Sequence, residues 1–450
     1  VEVLQAHLAR IAAYNPQVNA IVALDPEGAL RQARAADARL AAGEPVGPLH
    51  GLPIAIKDTA ATAGMRTTYG SLLFADHVPD ADDLHVARIA QAGAVRIGKS
   101  NVPELAAGSN TFNPVYGATR NPWNLERTVG GSSGGAAAGL ASGFMPIADG
   151  SDMGGSLRNP AAFCGVVGFR PTAGVVPDPQ SANMFDPLVT NGPLARTVAD
   201  TALLLSVMAR PFPGEARNRP VDNDALADLT PAPVAGLRVA YAPDLGGRIP
   251  LDPQIRAVLD ATAAVLAGLG ATVELACLDL DGSDEAFRTL RAAEFNRSWA
   301  ADLAARPTDF NDFLAGNIRA GETVTGPQVM AAYAEVTRLA RAAEGFFEAY
   351  DLVLAPVTQV PPFPVEIRWP KEVAGQPMSD YLEWMKAAYL FTPLGVPGLS
   401  LPAGFTPDGL PVGAQLLAAA GTDVELLRRA ASIEAALGLP TLAPLEGDAS

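Results

Sequence analysis

The amino-acid sequence predicts an α/β fold, and three observations lead to this prediction. First, short apolar segments that suit buried strands alternate along the chain with segments of helical periodicity. Second, 49% of the 450 residues are hydrophobic and 18% are charged, so the chain can bury a large core and is not typical of a disordered protein. Third, apolar residues regularly interrupt the glycine-, serine- and alanine-rich segment 128–176, which indicates tight backbone packing rather than a flexible linker.

The first part of the chain predicts two helices followed by a strand. Apolar residues recur at helical spacing over 4–12, and we expect Asn15-Pro16 to end this first helix. A second helix, rich in alanine and arginine, is predicted over 26–42. A loop over 43–53 then leads into the apolar segment Ile54-Ala55-Ile56-Lys57, which predicts a short buried strand.

Later segments continue this alternation of helices and strands. Residues 211–235 are polar and rich in proline, so we expect an exposed connection there. The remaining predicted elements are helices over 84–92 and 253–269, strands over 94–97 and 236–241, and a mostly helical region over 283–350.

Charge and composition exclude several classes of function. The formal net charge of −16, with a pI near 4.7, repels nucleic-acid phosphates, so we expect no nucleic-acid partner. No apolar run approaches the roughly 18 residues of a membrane-spanning helix. The first residues carry no signal-peptide pattern, so we expect a cytoplasmic protein without a membrane partner. Cys164 and Cys277 lie in no paired motif, which argues against a disulfide framework or a zinc site, and the apolar surroundings of Cys164 predict a buried thiol.

Residues 93–100, which end in Gly98-Lys99-Ser100, match the phosphate-binding pattern G-x-x-x-x-G-K-[ST]. Such a loop requires a strand before its first glycine and a helix directly after its lysine. Here a predicted helix precedes Gly93, the predicted strand occupies the spacer, and Asn101-Val102-Pro103 delays any helix. A strand followed by a turn is therefore the better interpretation, and nucleotide binding is a distant alternative.

A second motif, Gly131-Ser132-Ser133-Gly134-Gly135, satisfies the G-x-S-x-G pattern of the nucleophile elbow in α/β-hydrolases. In that fold the catalytic histidine follows the serine along the chain. The histidines of this chain all precede Ser133: His7, His50, His77 and His85. An elbow triad therefore cannot be built on Ser133. In other triad orders His50 is the best candidate base, although nothing in its spacing distinguishes it from a structural loop histidine.

Lys57 is the remaining candidate for a general base. A serine hydroxyl is a weak nucleophile that needs a base, and a lysine can act as one if burial lowers its pKa. Lys57 ends an apolar strand and is followed by Asp58, so we do not expect a solvated surface position. A buried ion pair with Asp58 or another carboxylate explains the same position equally well, and both interpretations stay open at this point.

Several ordered motifs resemble those of the amidase signature family. Ile54-Ala55-Ile56-Lys57-Asp58 is similar to the lysine motif of that family, and the 24 residues from Ser132 to Ser156 match the spacing of its two catalytic serines. The resemblance extends over nearly the whole chain. Further segments that resemble the family are 121–124, 130–135, 154–158, 159–165, 192–196 and 409–413.

The resemblance implies a Ser–Ser–Lys triad that needs no metal or cofactor. By this resemblance Ser156 attacks the carbonyl carbon, while Ser132, held on a cis peptide bond, passes the proton between Ser156 and Lys57. Lys57 must be neutral to accept that proton and charged to return it to the leaving amine.

The same resemblance assigns supporting roles around the nucleophile. Backbone N–H groups form an oxyanion hole that stabilises the developing negative charge. Its donors are expected at Met153, Gly154, Gly155 and Ser156. Many relatives have Thr or Ile where Met153 stands, but the backbone supplies the donors, so we expect the hole to survive. Supports for this turn, by resemblance only, are Ser133, Asp152 and Arg158.

For the architecture, the resemblance implies a single α/β/α domain over residues 1–450 around a large twisted mixed β-sheet. We expect the core that carries the catalytic residues over 45–210, and a variable helical region that shapes the pocket over 211–392. Large side chains in the least similar segments favour a bulky or aryl substrate, although such side chains belong more often to the core. These residues are Met184, Phe185, Phe310, Phe313, Tyr333, Phe363, Tyr381, Trp384 and Tyr389.

The resulting hypothesis is an amidohydrolase, monomeric or homodimeric, that cleaves the C–N bond of a small-molecule substrate. An aryl amide or a carbamate (urethane) is the leading substrate class. The nearest alternative is the glutaminase subunit of a tRNA-dependent amidotransferase, which usually carries Gln after the motif arginine, where this chain has Asn159. A nonenzymatic binding protein is disfavoured because Lys57, Ser132 and Ser156 are all retained.

Overall fold

The computed structural model describes residues 1–445. Thirteen α-helices lie within this range. They are α1 Glu2–Val18, α2 Pro26–Ala41, α3 Leu84–Gln91, α4 Gly134–Ala141, α5 Arg158–Cys164, α6 Val198–Met208, α7 Asn223–Ala227, α8 Pro253–Gly268, α9 Ser283–Ala305, α10 Asp312–Arg319, α11 Gly326–Phe347, α12 Lys386–Tyr389 and α13 Asp423–Leu437.

The same range contains seventeen strands, several of only two residues. They are β1 Ile21–Val22, β2 Pro53–Lys57, β3 Val95–Ser100, β4 Phe112–Asn113, β5 Gly117–Ala118, β6 Arg120–Asn121, β7 Asn124–Thr128, β8 Ile147–Asp152, β9 Val167–Arg170, β10 Thr190–Ala195, β11 Arg238–Tyr241, β12 Thr272–Leu275, β13 Leu352–Pro356, β14 Glu372–Val373, β15 Gln376–Pro377, β16 Gly398–Phe405 and β17 Pro411–Leu417.

Eight strands form one mixed β-sheet in the order β12-β11-β13-β17-β16-β9-β10-β8. Strand β11 runs parallel to β12 and to β13, whereas the other neighbouring pairs are antiparallel. Strand β8 lies at one edge and pairs with β10 from Ala195↔Ile147 to Thr190↔Asp152. The chain therefore leaves the sheet at Asp152, directly before the predicted nucleophile turn.

Alternate residues of the central strands face two different apolar layers, because successive side chains of a strand point to opposite faces. Val239 and Leu354 pack in a cluster with α3, α6, α8 and α13. Ala240 and Val353 face a second cluster that includes α9, α11 and α12. Helices thus cover both faces of the sheet, and the predicted α/β fold around a large mixed sheet is confirmed.

A smaller sheet lies against the β8 edge and carries Lys57. Its order is β1-β3-β2, with β3 antiparallel to β1 and parallel to β2. All five residues of β2 are buried, as the apolar pattern predicts. The backbone N–H of Lys57 donates to Asp149 Oδ1 of β8 at 2.8 Å, so a side chain joins the two sheets at the position of the lysine.

The glycine-rich segment is packed structure rather than a linker, as predicted. Every residue of α4 is buried. A Cβ atom at Gly134 would lie 2.1 Å from Thr111 Oγ1, and one at Gly135 would lie 2.1 Å from the backbone N of Asn101. Helix α4 therefore approaches the neighbouring backbone more closely than any larger residue permits.

Two predictions about local structure have different outcomes. Helix α1 continues to Val18 with Pro16 inside it, so the predicted end at Asn15-Pro16 is wrong. The side chain of Asn15 instead accepts hydrogen bonds from Ala20 N and Ile21 N and fixes the start of β1. For residues 93–100, α3 precedes Gly93 and β3 occupies the spacer, which confirms the strand and argues against a phosphate loop.

No helix within residues 1–445 is both long enough and apolar enough to cross a bilayer. Across the same part of the chain, no group of three or more His, Cys, Asp or Glu side chains could hold a metal ion.

Candidate active site

Lys57 is buried at the end of β2, and its side chain meets both the predicted relay serine and β8. Its Nζ lies 2.9 Å from Ser132 Oγ and 2.9 Å from Ser151 Oγ. The carboxylate of Asp58 accepts instead from Thr68, from N at 3.0 Å and Oγ1 at 2.5 Å. No salt bridge to Lys57 is found in the described part of the chain, so the ion-pair interpretation with Asp58 is wrong.

Burial also lowers the pKa of Lys57 into the range in which a lysine can act as a base. Loss of hydration lowers the pKa of Lys57 to about 7, although the nearby carboxylates of Asp149 and Asp152 favour the charged form and oppose this shift. A lysine with a pKa near 7 is partly neutral at neutral pH. It can therefore accept a proton and later return it.

Ser132 lies in the turn before α4 and is 1% exposed. The peptide bond between Gly131 and Ser132 is cis, as the resemblance implies. The carbonyl oxygen of Gly131 accepts from Ser109 Oγ, and that of Gly130 accepts from Thr111 Oγ1, both at 2.8 Å. These two bonds anchor the turn that carries the hydroxyl of Ser132 to the lysine amine.

Ser156 lies in the turn between β8 and α5. At 8% exposure it is the most accessible of the three predicted catalytic side chains. Its backbone carbonyl accepts from the N–H of Ser133 at 3.2 Å, which brings the two serine-containing turns into contact. Within residues 1–445, no hydrogen bond engages the hydroxyl of Ser156. Among the described residues, Ser132 Oγ is thus bonded to Lys57, whereas the hydrogen bond from Ser156 to Ser132 that the predicted relay needs is not formed.

The backbone N–H groups before Ser156 only partly match the predicted oxyanion hole. The N–H groups of Met153 and Gly154 have no acceptor among the described residues, and neither does that of Ser156. The N–H of Gly155 differs, because it donates to Asp152 Oδ1 at 2.8 Å. The prediction of Gly155 as a free donor is corrected accordingly: its amide holds the turn together.

Asp152 and Arg158 support the nucleophile turn as the resemblance implies. Arg158 grips the carboxylate with two bonds, Nε to Oδ2 at 3.0 Å and Nη2 to Oδ1 at 2.9 Å. Oδ2 of Asp152 also accepts from Leu157 N at 3.1 Å. Burial alone would raise the pKa of Asp152, but Arg158 and Arg170 outweigh it and hold the pKa well below the usual range. The ionised carboxylate, on the last residue of β8, thus holds the backbone of the turn at Gly155 and Leu157.

Ser133 contributes through its backbone rather than its hydroxyl. Its Oγ is buried and has no hydrogen-bond partner in the described structure, whereas its N–H bonds to Ser156. Asn159, the position that departs from the glutaminase pattern, donates from Nδ2 to Ser109 Oγ at 3.0 Å. Its amide also packs where a Cβ of Gly155 would lie, 2.7 Å away.

Sequence reasoning missed four residues of this site: Ser109, Asp149, Ser151 and Arg170. A usable signal for two of them is the polar run Asp149-Gly150-Ser151-Asp152, which interrupts apolar surroundings directly before the nucleophile turn. With a period of two, Asp149 and Ser151 face the same side of β8, where both contact Lys57. Ser109 and Arg170 have no comparable sequence signal.

The histidines make other contacts, which argues against a triad built on histidine. His50, the best histidine candidate, meets the carbonyl oxygen of Ala36 at 3.1 Å. His7 meets the carbonyl of Gly143, and His85 meets Asp149. In the described structure no histidine is hydrogen-bonded to Ser132, Ser133 or Ser156.

A small cavity adjoins the turn that carries Ser132. Its volume is about 20 Å³, and Ser109, which anchors that turn, is part of its wall. Three of the predicted pocket residues line it: Phe313, Tyr381 and Trp384. The other predicted aromatic residues have different positions. Tyr389, for example, stacks on Phe287 in the core, and Phe185 is 63% exposed.

Cys164 is fully buried at the end of α5, as predicted. Burial raises the pKa of its thiol far above the ordinary value, so the reactive thiolate is suppressed. Cys164 is therefore a packing residue.

Comparison with known proteins identifies the family of the chain. The family model described as Amidase matches residues 2–427. An acylamidase from Rhodococcus erythropolis is 36% identical over 446 residues, which cover 96% of this chain and 91% of the relative. One subunit of the glutamyl-tRNA(Gln) amidotransferase from Acidothermus cellulolyticus is 37% identical over 477 residues, covering 97% of this chain and 90% of that protein.

Solved structures show the same likeness over the full fold. The crystal structure of a bacterial aryl acylamidase of the amidase signature family superposes with a TM-score of 0.90 at 29% identity, covering 97% of this chain and 92% of that one. The structure of a 6-aminohexanoate cyclic dimer hydrolase superposes with a TM-score of 0.86 at 30% identity, with 98% and 94% coverage. The chain therefore belongs to the amidase family of amide-hydrolysing enzymes.

Proposed function

We propose that the protein hydrolyses the C–N bond of a small-molecule amide through an acyl-enzyme on Ser156, with Ser132 and Lys57 as its proton relay. The observation that carries this proposal is the buried 2.9 Å contact between Lys57 Nζ and Ser132 Oγ. The lowered pKa of Lys57 supports its role as base.

In the first half of the reaction, Ser156 Oγ adds to the substrate carbonyl carbon while its proton passes to Ser132, whose own proton moves to neutral Lys57. The oxygen of the tetrahedral intermediate then faces the N–H groups of Met153, Gly154 and Ser156. One such donor typically contributes about 2.7–4 kcal/mol to transition-state stabilisation.

Collapse of the intermediate requires a proton on the leaving nitrogen, since an amide anion leaves poorly. Charged Lys57 returns its proton through Ser132, and the amine departs. Water then attacks the acyl-enzyme with the same relay as base, which regenerates Ser156 and releases the carboxylic acid. A carbamate follows the same course: the amine departs, water releases a carbonic acid monoester from Ser156, and this product loses carbon dioxide to leave the alcohol.

For the substrate, we propose an aryl amide or an aryl carbamate. The support for an aromatic group is the structural likeness to a bacterial aryl acylamidase, at a TM-score of 0.90. The aromatic-lined cavity beside the site is too small, at about 20 Å³, to hold an aryl ring. Initial rates on an anilide, an aryl carbamate, an ester and a primary aliphatic amide test the proposed substrate class directly. Preference for the aliphatic primary amide would contradict it.

The glutaminase subunit of a tRNA-dependent amidotransferase is the second candidate. Its support is the 37% identity to the amidotransferase relative. Against it stands Asn159, where that subunit usually carries Gln. Release of ammonia from free glutamine at a rate above that on anilides would favour this candidate.

The nucleophile assignment is tested by labelling with a fluorophosphonate. Ser156→Ala should lose the label and all hydrolysis, because the attacking oxygen is gone. Ser133→Ala is the matched control, since Ser133 acts through its backbone N–H, and it should retain labelling and turnover within a few fold. Undiminished labelling of Ser156→Ala would remove Ser156 from the mechanism.

A further inference from the structure

A second buried pair, His85 and Asp149, lies next to Lys57. His85 of α3 places Nε2 3.3 Å from Asp149 Oδ2. The other carboxylate oxygen of Asp149 accepts the backbone N–H of Lys57 at 2.8 Å. The imidazole, the carboxylate and the lysine are 4%, 1% and 1% exposed, so the contacts form a continuous chain inside the protein.

A cavity of about 230 Å³ lies along this chain of contacts. Lys57, His85, Asp149 and Ser151 all contribute to its wall. Lys57 and His85 thus border one space large enough for several water molecules.

Besides Asp149, two carboxylates act on His85. Asp83, next to α3, and Asp178, from the connection between β9 and β10, face His85 and favour its charged form. Burial alone would lower the pKa of His85, but Asp149 and these two carboxylates outweigh it and raise the pKa. Asp149 also faces a second buried lysine, Lys99, which donates to the carbonyl of Ala60 and to Thr62 Oγ1.

We propose that His85 and Asp149 form a positioning pair for Lys57: the carboxylate fixes the lysine backbone, and the imidazolium offsets the negative charge that the carboxylate presents to the lysine amine. The proposal rests on the proposed role of Lys57 as general base. Neither residue touches the substrate or the reacting atoms.

The carboxylate of Asp149 and the imidazolium of His85 shift the pKa of Lys57 in opposite directions. A carboxylate near Lys57 stabilises the ammonium and raises the pKa of the lysine. A charged His85 does the reverse. Removing the positive charge at 85 should therefore move the acidic limb of kcat/KM to higher pH, whereas removing the negative charge at 149 should move it to lower pH.

The test uses two variants that keep the hydrogen bonds and remove one charge each. In His85→Gln the amide nitrogen takes the place of Nε2 and still donates to Asp149. In Asp149→Asn the amide oxygen still accepts the N–H of Lys57. The kcat/KM profile on an anilide is measured from about pH 5 to pH 10. We expect a shift of about half to one pH unit upward for His85→Gln and a smaller shift downward for Asp149→Asn.

His50→Gln is the matched control, since His50 bonds only to a backbone carbonyl, and its profile should coincide with that of the wild type. Titration with a fluorophosphonate gives the concentration of active enzyme in each preparation, and each rate is divided by that concentration to correct for misfolded protein. Shifts of the same sign in both variants, or no shift in either, would overturn the role of the pair while leaving Lys57 as base. A wild-type profile without an acidic limb would overturn both assignments.

Discussion

At the scale of single residues, the site depends on burying charges of both signs a few ångströms apart. Asp152 is held ionised by Arg158 and Arg170, whereas Lys57 has no ion pair in the described structure and its amine meets only hydroxyl and carbonyl oxygens. An uncompensated buried ammonium is expensive, so the neutral form is favoured. The same burial that costs stability thus supplies a base.

The pH dependence of catalysis follows from this environment. Protonated Lys57 cannot accept a proton, so kcat/KM should rise with pH and level off above the pKa of about 7. Lys57→Met has similar volume without the amine and should lose about 10²–10⁴-fold in kcat/KM together with this pH dependence. Measured profiles of both proteins check the prediction. Lys371→Met, at an exposed lysine, is the control; an acidic limb that persists in Lys57→Met would contradict the assignment.

At the scale of elements, the nucleophile turn is shaped by glycine where no other residue fits. Gly155 has φ of 106°, in the region that side chains avoid, and a Cβ there would meet Ala388 Cβ at 2.7 Å. The turn is also tied down by Asp152. Its geometry is therefore set by packing on one side and by a carboxylate on the other.

Gly155→Ala should displace the turn and lower kcat by about a hundredfold, because misplacing a reacting group by 1 Å has effects of that size. Gly409→Ala is the matched control. Gly409 also has positive φ, at 78°, but no atom lies within 4 Å of the added carbon. It should lose only about 1 kcal/mol of stability and keep kcat. Steady-state kinetics and thermal unfolding separate the two; an unchanged kcat in Gly155→Ala would show that the turn tolerates a side chain.

Sequence patterns locate the elements whose signals are local. The apolar run predicts β2, and helical periodicity over 283–350 predicts the region that forms α9, α10 and α11. Strand β8 has no such signal, since Ala148-Asp149-Gly150-Ser151 has neither apolar alternation nor β-branched residues. Asp149 and Asp152 are buried and Ser151 is partly buried, because these side chains serve the site. Ser151 forms its hydrogen bond with Lys57, which lies 94 positions away in the sequence. A local sequence pattern carries no information about so distant a partner.

At the scale of the whole molecule, the core closes around both serine turns. The thiol of Cys164 lies at the end of α5, wholly buried, whereas Cys277 is half-buried. A reagent can reach Cys164 only if α5 leaves the sheet. The two cysteines therefore report different degrees of opening.

In a Cys277→Ser background, the remaining thiol should react with a disulfide reagent only as the protein unfolds. The denaturant midpoint of labelling at Cys164 should then coincide with the midpoint from circular dichroism, as expected for cooperative loss of the core. The matched background Cys164→Ser, in which Cys277 is free, should label in the native state. Rapid native labelling of Cys164 would mean that α5 opens independently of the fold.

The contact between β2 and β8 has a further consequence, for solubility. Strand β8 ends the large sheet, and an uncovered sheet edge offers free N–H and C=O groups to the strands of other molecules. Here the small sheet covers that edge, and the amide of Lys57 is bonded to Asp149. The opposite edge, β12, has no such cover within the described residues and is only four residues long. The arrangement that delivers the lysine to its serine thus also protects the protein from edge-to-edge aggregation.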